Sequence, residues 1–426
     1  MKNLFASYAV ATILCTTNLA QAETDHYCRA PTKVADVAQP MNYPDQYAWQ
    51  LFVEVNKPAK VETIKVNGKT LTLNDAYWET WVDDVENFPK HPNPAKPPQW
   101  PTKADGHKLL NASFSAHQMP LADSASGTKL AANAMGEASC VLDDTHTCEV
   151  VYRNKTTFEY IITNKLWYQE GIAEFFASGK QVVFPIDSIE VKANWKAIAE
   201  KDKGQYHWNY TEQGQLIGLV AMHISSKVIP NWLWATFEHV GNPGRCDLLG
   251  CYDCYGTTET AIPASTTAFG GQYAAGNLTT ALLKNYKDAG YKGAWLEAWQ
   301  NYRLKGSMVN FTDSYGNPNL LGNSVTESGF VATSSCMGCH SRAAVTAQGA
   351  KAFPVFGELP SPVATQAIPA EYGYQFLTVN GTPNPADFYN RAGNIYHNNP
   401  NGTLKLMQTD FVWAIPMRAQ PVQSAQ

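Results

Sequence analysis

The sequence predicts an α+β protein, with a β-rich part over residues 23–270 and a helical part over 271–426, behind a leader of residues 1–22. Three observations carry this. Strict apolar alternation and turn residues dominate from Ile64 to Val240, the apolar period becomes helical from about residue 276, and the first residues read as an export signal.

In the leader, Lys2 precedes an apolar stretch around Leu4 to Leu14, and Ala20-Gln21-Ala22 fits a small-residue cleavage site. Ser7, Thr12, Thr16, Thr17 and Asn18 interrupt the stretch, whereas a membrane anchor needs about 20 apolar residues. No later run approaches that length, so the expectation is a periplasmic protein with no membrane span.

AWQLFVEVN does not decide between helix and strand. ETIKVNGKTLTLN alternates Ile64, Val66, Leu71 and Leu73 around Asn67-Gly68, a hairpin signal. Asn74 or Asp75 then caps a helix expected from Tyr77, Trp78, Trp81, Val82, Val85 and Phe88. The prolines from Pro89 to Pro101 impose an extended loop, and His117 to Ser139 shows no period. CEVVYRN and FEYIITN read as strands, and Thr163-Asn164 as the cap of a helix LWYQEGIAEFFASG closed by Gly179. QVVFP, the alternation of Ile189, Val191, Ala193 and Trp195, then YHWNY, QLIGLVAMHIS and NWLWATFEHV continue as strands. LTTALLKNYKDAG and KGAWLEAWQNYRLKG read as helices joined near Gly290, SRAAVTAQGA as a short helix, and FVWAIP as a closing strand able to pair back into the first sheet.

With 426 residues, 44% of them hydrophobic and 12% aromatic, the chain can bury a sizeable core. Its net charge of −5 and the lack of any Lys/Arg run leave no footprint for nucleic acid or an anionic membrane.

Cys15 falls in the leader. The remaining cysteines, Cys28, Cys140, Cys148, Cys246, Cys251, Cys254, Cys336 and Cys339, would meet an oxidising compartment. The word Cys336-Met337-Gly338-Cys339-His340 is the most informative. Cysteines three apart share one face of a helical turn. From there both thiols reach the two vinyl groups along one haem edge, and the adjacent His340 is carried under the iron as its proximal ligand. A redox C-x-x-C pair would open a helix in a βαβ unit, and a zinc site would want a second ligand pair at finger-like spacing; neither context surrounds the word.

On these five residues the chain resembles the c-type cytochromes. The resemblance implies one covalent haem c, bound by Cys336 and Cys339, with His340 as the metal ligand. It does not extend over the long part that precedes the motif, so the chain is similar to large exported single-haem proteins rather than to a small cytochrome c. The helical part would then bear the haem, and the β-rich part would recognise a redox partner protein or a small-molecule substrate. The implied function is electron transfer or, if the chain is an enzyme, a haem-dependent oxidoreductase; the alternative is a haem-based sensor or small-ligand binding protein without turnover.

The other cysteines are expected in disulfides, with Cys140 and Cys148 as one pair and Cys28 joining one of Cys246, Cys251 and Cys254. The spacing of those last three also matches a plant-type ferredoxin, which would need a fourth thiolate. The sixth iron ligand decides the chemistry, and Met407, Met417, His397, His223, His239 or an open position are the candidates, Met407 first. Finally, AMHISSKVIPNWLWATFEHV holds His223, Lys227, Glu238 and His239 on two candidate strands, where either histidine would serve as acid or base with Glu238 orienting it.

Overall fold

Asn67 and Gly68 adopt φ of 49° and 78°, the left-handed pair that a tight hairpin turn requires. They join β1 (Thr63–Val66) to β2 (Lys69–Thr72). The structure is a computed structural model that describes residues 39–59, 63–101, 117–120, 142, 146–263, 270–315, 317–328, 331–353, 404 and 406–423. The leader, Cys28, Cys140 and His397 lie outside the described residues.

Among the described residues, alternation along the middle of the chain builds one antiparallel sheet of eight strands. These are β3 (Val82–Asp83), β4 (His117–Pro120), β5 (His146–Arg153), β6 (Ile189–Ala197), β7 (Trp208–Tyr210), β8 (Leu216–Ser226), β9 (Leu233–His239) and, after the short pair β10 (Cys251–Tyr252) and β11 (Ala261–Ile262), β12 (Tyr302–Met308). The order is β12-β9-β8-β6-β5-β3, with β4 on β5 and β7 on β8. Strand β12 lies beyond residue 270, so a single sheet draws on both expected parts of the chain, and its YRLKG, expected to continue a helix, is strand because that helix stops at Trp299 and Tyr302–Met308 pairs with β9. A last pair joins β13 (Ala344–Val345) to β14 (Met407–Gln408).

The helices are α1 (Gln39–Asn42), α2 (Pro44–Val55), α3 (Asp84–Asn87), α4 (Lys155–Thr163), α5 (Gln169–Ala177), α6 (Thr280–Asp288), α7 (Gly293–Trp299), α8 (Cys336–His340) and α9 (Ala414–Arg418). Helix and antiparallel strand thus mix throughout, as an α+β chain should. Among the described residues no helix is long and apolar enough to cross a membrane.

Several local expectations are corrected. AWQLFVEVN is helical, within α2. FEYIITN is not a strand but α4: Asn154 accepts the Thr157 amide at 3.1 Å as N-cap, and Phe158 and Ile161 share the buried face. Its β-branched residues argued for a strand, but a cap and a packed face outweigh propensity. Residues 77–88 do not form one helix. A 3₁₀ turn over Tyr77–Thr80 gives way to β3, and Asp83 restarts α3 through a reciprocal capping box with Glu86. QVVFP makes no strand, because Phe184 donates its amide to the Asp410 carboxylate at 2.7 Å instead of to a ladder. His117–Pro120, read as irregular, pairs with the outer edge of β5. After the motif SRAAVTAQGA enters β13, and FVWAIP forms α9, whose Pro416 sits in the first turn where no backbone donor is needed.

The two faces of the sheet differ in kind. Val150, Tyr152, Val191, Ala193, Trp195, Met222, Ile224, Ala235 and Phe237 form the main core with α2, whose Trp49 and Phe52 lie 5.0 and 4.2 Å from the Phe237 ring. The alternate residues point the other way. There the register aligns Arg153 with Glu190, Glu190 with Ser225 and Ser225 with Trp234, and one row further Val151 with Lys192, Lys192 with His223 and His223 with Thr236. Glu327, Ser334 to Cys336 and Trp413 to Arg418 lie over this charged face, so a pattern that normally marks a solvated face lies inside.

Candidate functional site

The motif folds into a single turn because Ser335 caps it: its hydroxyl accepts the Gly338 amide at 3.2 Å. Met337 donates its amide to Met308 Sδ on β12 at 3.5 Å, which ties the turn to the sheet. Both Cys336 and Cys339 then lie on the wall of one cavity, about 1020 Å³ including its open mouth, between α8, α9 and the charged face. They are the free cysteines among the described residues; Cys246 and Cys251 are bonded to each other, and Cys148 and Cys254 are also disulfide-bonded. The Cys246–Cys251 bond removes two of the three thiolates that an iron–sulfur cluster would have used.

His340 shares that wall. Its Nδ1 donates to the Phe411 carbonyl at 2.8 Å, which fixes the ring and directs Nε2, the usual ligating nitrogen, away from that bond. The carbonyl is presented by an unusual backbone: Asp410 and Phe411 have φ of 49° and 69°, a conformation disfavoured outside glycine. The strain is held by Asp410, whose carboxylate accepts from Lys227 Nζ at 2.6 Å and from the Phe184 amide at 2.7 Å. The Trp234 ring lies 4.5 Å from the imidazole, and Trp413 Nε1 donates to the Cys339 carbonyl at 3.3 Å.

The opposite wall is ionic. Arg153 reaches Asp84 at 2.7 Å and Glu190 at 3.0 Å, Arg418 reaches Asp84 at 2.9 Å, Lys192 reaches Glu149 at 3.1 Å, and His223 Nε2 lies 3.4 Å from Glu327. Burial alone would discharge these groups, but the pairing reverses that for some. Burial disfavours the Lys192 ammonium, yet Glu149, Glu327 and Glu190 together hold its pKa above the ordinary lysine value. Burial pushes Glu327 up, and His223, the Asn323 amide and Lys192 bring it below the ordinary carboxylate value. Glu190 stays raised, burial outweighing the pull of Arg153. Burial, aided by Lys192, lowers His340 to about 3, so its imidazole is neutral, and burial raises Cys339 to about 11.

Comparison with protein-family models, with curated proteins and with solved structures finds no match.

Of the sequence candidates for a sixth ligand, His223 and Met417 line this cavity. Met407 does not: it is buried among Met337, Val345 and Ile415 in the apolar cluster behind the turn. His239 points to the other side of its strand, stacks 4.0 Å from the Tyr206 ring, bonds Gln205 O at 2.9 Å, and is lowered by burial to about 4. The two strands carrying His223 and Glu238 are indeed adjacent, but Glu238 orients neither histidine. It is fully buried and accepts from Ser324 and Asn242. The carboxylate beside His223 is Glu327, and Lys227 serves the Asp410 latch rather than the cavity.

The sequence reading missed Glu327, Lys192, Glu149, Arg153 and Glu190. A signal existed, because charges at 149, 153, 190 and 192 alternate with wholly apolar neighbours on two central strands. Such alternation reads as core-in, solvent-out, and only the cover supplied by distant chain makes it a site.

The residues present fit a covalently attached haem. Two free thiols at the required spacing face one cavity, the adjacent imidazole is neutral with its second nitrogen fixed by a backbone carbonyl, and Trp234, Trp413, Ala414 and Met417 supply apolar wall. These are the residues that would hold it; when bound, haem supplies one-electron redox chemistry.

Proposed function

We propose that this chain is an exported, periplasmic c-type haem protein with one haem on Cys336 and Cys339 and His340 as iron ligand, working as a haem-dependent oxidoreductase on a small-molecule substrate. The observation that carries the reading is the joint placement of Cys336, Cys339 and His340 on the wall of a cavity whose other wall holds His223, Glu327 and Lys192. In this reading α8 holds both thiols on one face, Phe411 and Trp234 orient the His340 ring, and the capped, covered turn excludes water from behind it. His223 Nε2, with Glu327 beside it and Lys192 next in register, is the group able to hold or move a proton in the cavity. Disulfide-bonded cysteines support an oxidising compartment.

Met417 favours a second reading. A thioether from this wall as sixth ligand would raise the potential and make the protein an electron carrier to a redox partner protein.

The test is the absorption spectrum of the reduced full-length protein, made in a host that matures c-type cytochromes, with and without carbon monoxide. A haem band that persists through denaturation and is lost in Cys336→Ser/Cys339→Ser is expected. A shift with carbon monoxide supports the oxidoreductase, and an unmoved spectrum supports the carrier. A protein purified without any haem band refutes both readings.

A further inference from the structure

A second cavity, about 710 Å³ with its mouth, is lined by β10 and β11, the segment Ala274–Gly276 and the start of β12. Two arginines line it, Arg245 at 2% exposure and Arg303 at 5%. Among the described residues neither forms an ion pair with a carboxylate. Arg245 donates to Ala274 O at 3.1 Å and lies 3.6 Å from Cys251 Sγ, and its Nε has no acceptor. Arg303 donates only to carbonyls, those of Ala275, Gly276, Gln300 and Tyr302.

The acids near them are committed elsewhere. Asp253 accepts from Trp49 Nε1 and from the Tyr255 and Gly256 amides, and Glu259, exposed at the rim, accepts from Thr258 and Asn277. Asp247 accepts from Gly271 and Tyr273, and Glu238 from Ser324 and Asn242. Much of the remaining wall is apolar: Ala261, Ile262, Pro263, Ala274, Ala275 and Leu304.

Both guanidinium groups carry their charge at neutral pH. Arg303 is depressed to about 10, first by burial and also by Arg245, against the pull of Tyr286, Asp253 and Glu259, and burial likewise lowers Arg245 against the pull of Glu238. The carbonyls satisfy donors but do not neutralise charge, and buried charge without a partner is strongly unfavourable. Arg245 Nε is buried and meets no acceptor among the described residues, a donor that a mere staple for the 274–276 segment would not leave unmet.

We propose that this cavity binds a small oxyanion, a carboxylate or a phosphate group, between Arg245 and Arg303. Guanidinium groups recognise planar and tetrahedral oxyanions through charge-assisted N–H bonds, and Arg245 Nε–H is a donor left without an acceptor here. The site is separate from the cavity of the Cys336 turn and shares no lining residue with it.

Isothermal titration of the purified full-length protein in low-salt buffer, with inorganic phosphate and separately with acetate, tests this. Saturable one-to-one binding of at least one of them is expected, and which one binds identifies the group. Arg245→Gln should weaken that binding at least tenfold. In anion-free buffer this variant should melt no lower than the native protein, because it removes a buried charge that forms no ion pair among the described residues. If the variant does not fold, Arg245→Lys keeps the charge but loses the fork and should still weaken binding severalfold. No saturable binding of either anion to the native protein overturns the proposal, as does binding that Arg245→Gln leaves unchanged.

Discussion

Replacing Arg153 by Met tests whether the charged face of the sheet is structural. Arg153 is 1% exposed and bridges Asp84 and Glu190. In the variant Asp84 keeps Arg418, whereas Glu190 loses its direct partner and stays enclosed. Leaving one member of a buried pair uncompensated costs about 3–5 kcal/mol, which for a chain of 426 residues lowers Tm by roughly 3–6 °C. The loss must depend on pH. Burial already raises Glu190 against the pull of Arg153, and without that cation its folded pKa rises further above the unfolded value. A carboxyl raised in the folded state takes up its proton more readily there than when unfolded, so the native state gains as pH falls from the folded pKa towards the ordinary carboxylate value. The deficit should therefore be largest at pH 8 and shrink at pH 5. Adding Glu190→Gln should recover a good part of it at pH 8 in a double-mutant cycle. Urea unfolding of the four proteins of the cycle at the two pH values gives the numbers needed. A deficit below about 1 kcal/mol at pH 8, or one that grows on acidification, would refute the reasoning.

Three other outcomes follow from the packing. Asp410→Ala removes the anchor for Lys227 and for the Phe184 amide and should cost about 3 kcal/mol; Asp410→Asn, which keeps an acceptor, should cost less by thermal melting. Gly256→Ala would drive a Cβ into the Trp49 indole and the Asp253 carboxylate, so it should destabilise by about 1–3 kcal/mol in urea unfolding, with the loss absent if the loop simply moves aside. Trp49→Phe deletes the 2.9 Å donor to Asp253, whose carboxyl is raised to about 7 by burial and by Asp45. It should cost about 1–3 kcal/mol, more at pH 8, where Asp253 is charged, than at pH 5, where it is protonated; equal losses at the two values would count against the pairing.

What could be read from residue order alone was whatever depends on neighbours a few places apart. The Asn67-Gly68 hairpin, the alternation of β6, β8 and β9, the helices at Thr280–Asp288 and Gly293–Trp299, and the C-x-x-C-H turn are of this kind, since each is set by local dihedral preference, periodicity or spacing. FEYIITN and FVWAIP were misread because their apolar, β-branched composition suits either state, and the choice fell to a cap in one and to packing behind the Cys336 turn in the other. The cavity itself was not legible. Its walls come from Glu149 to Arg418, and only folding brings Glu327 to His223, the Phe411 carbonyl to His340 and Lys227 to Asp410. Local sequence specifies which face of a strand a charge lies on; whether that face meets water or a buried site depends on chain far away in the sequence that comes to cover it.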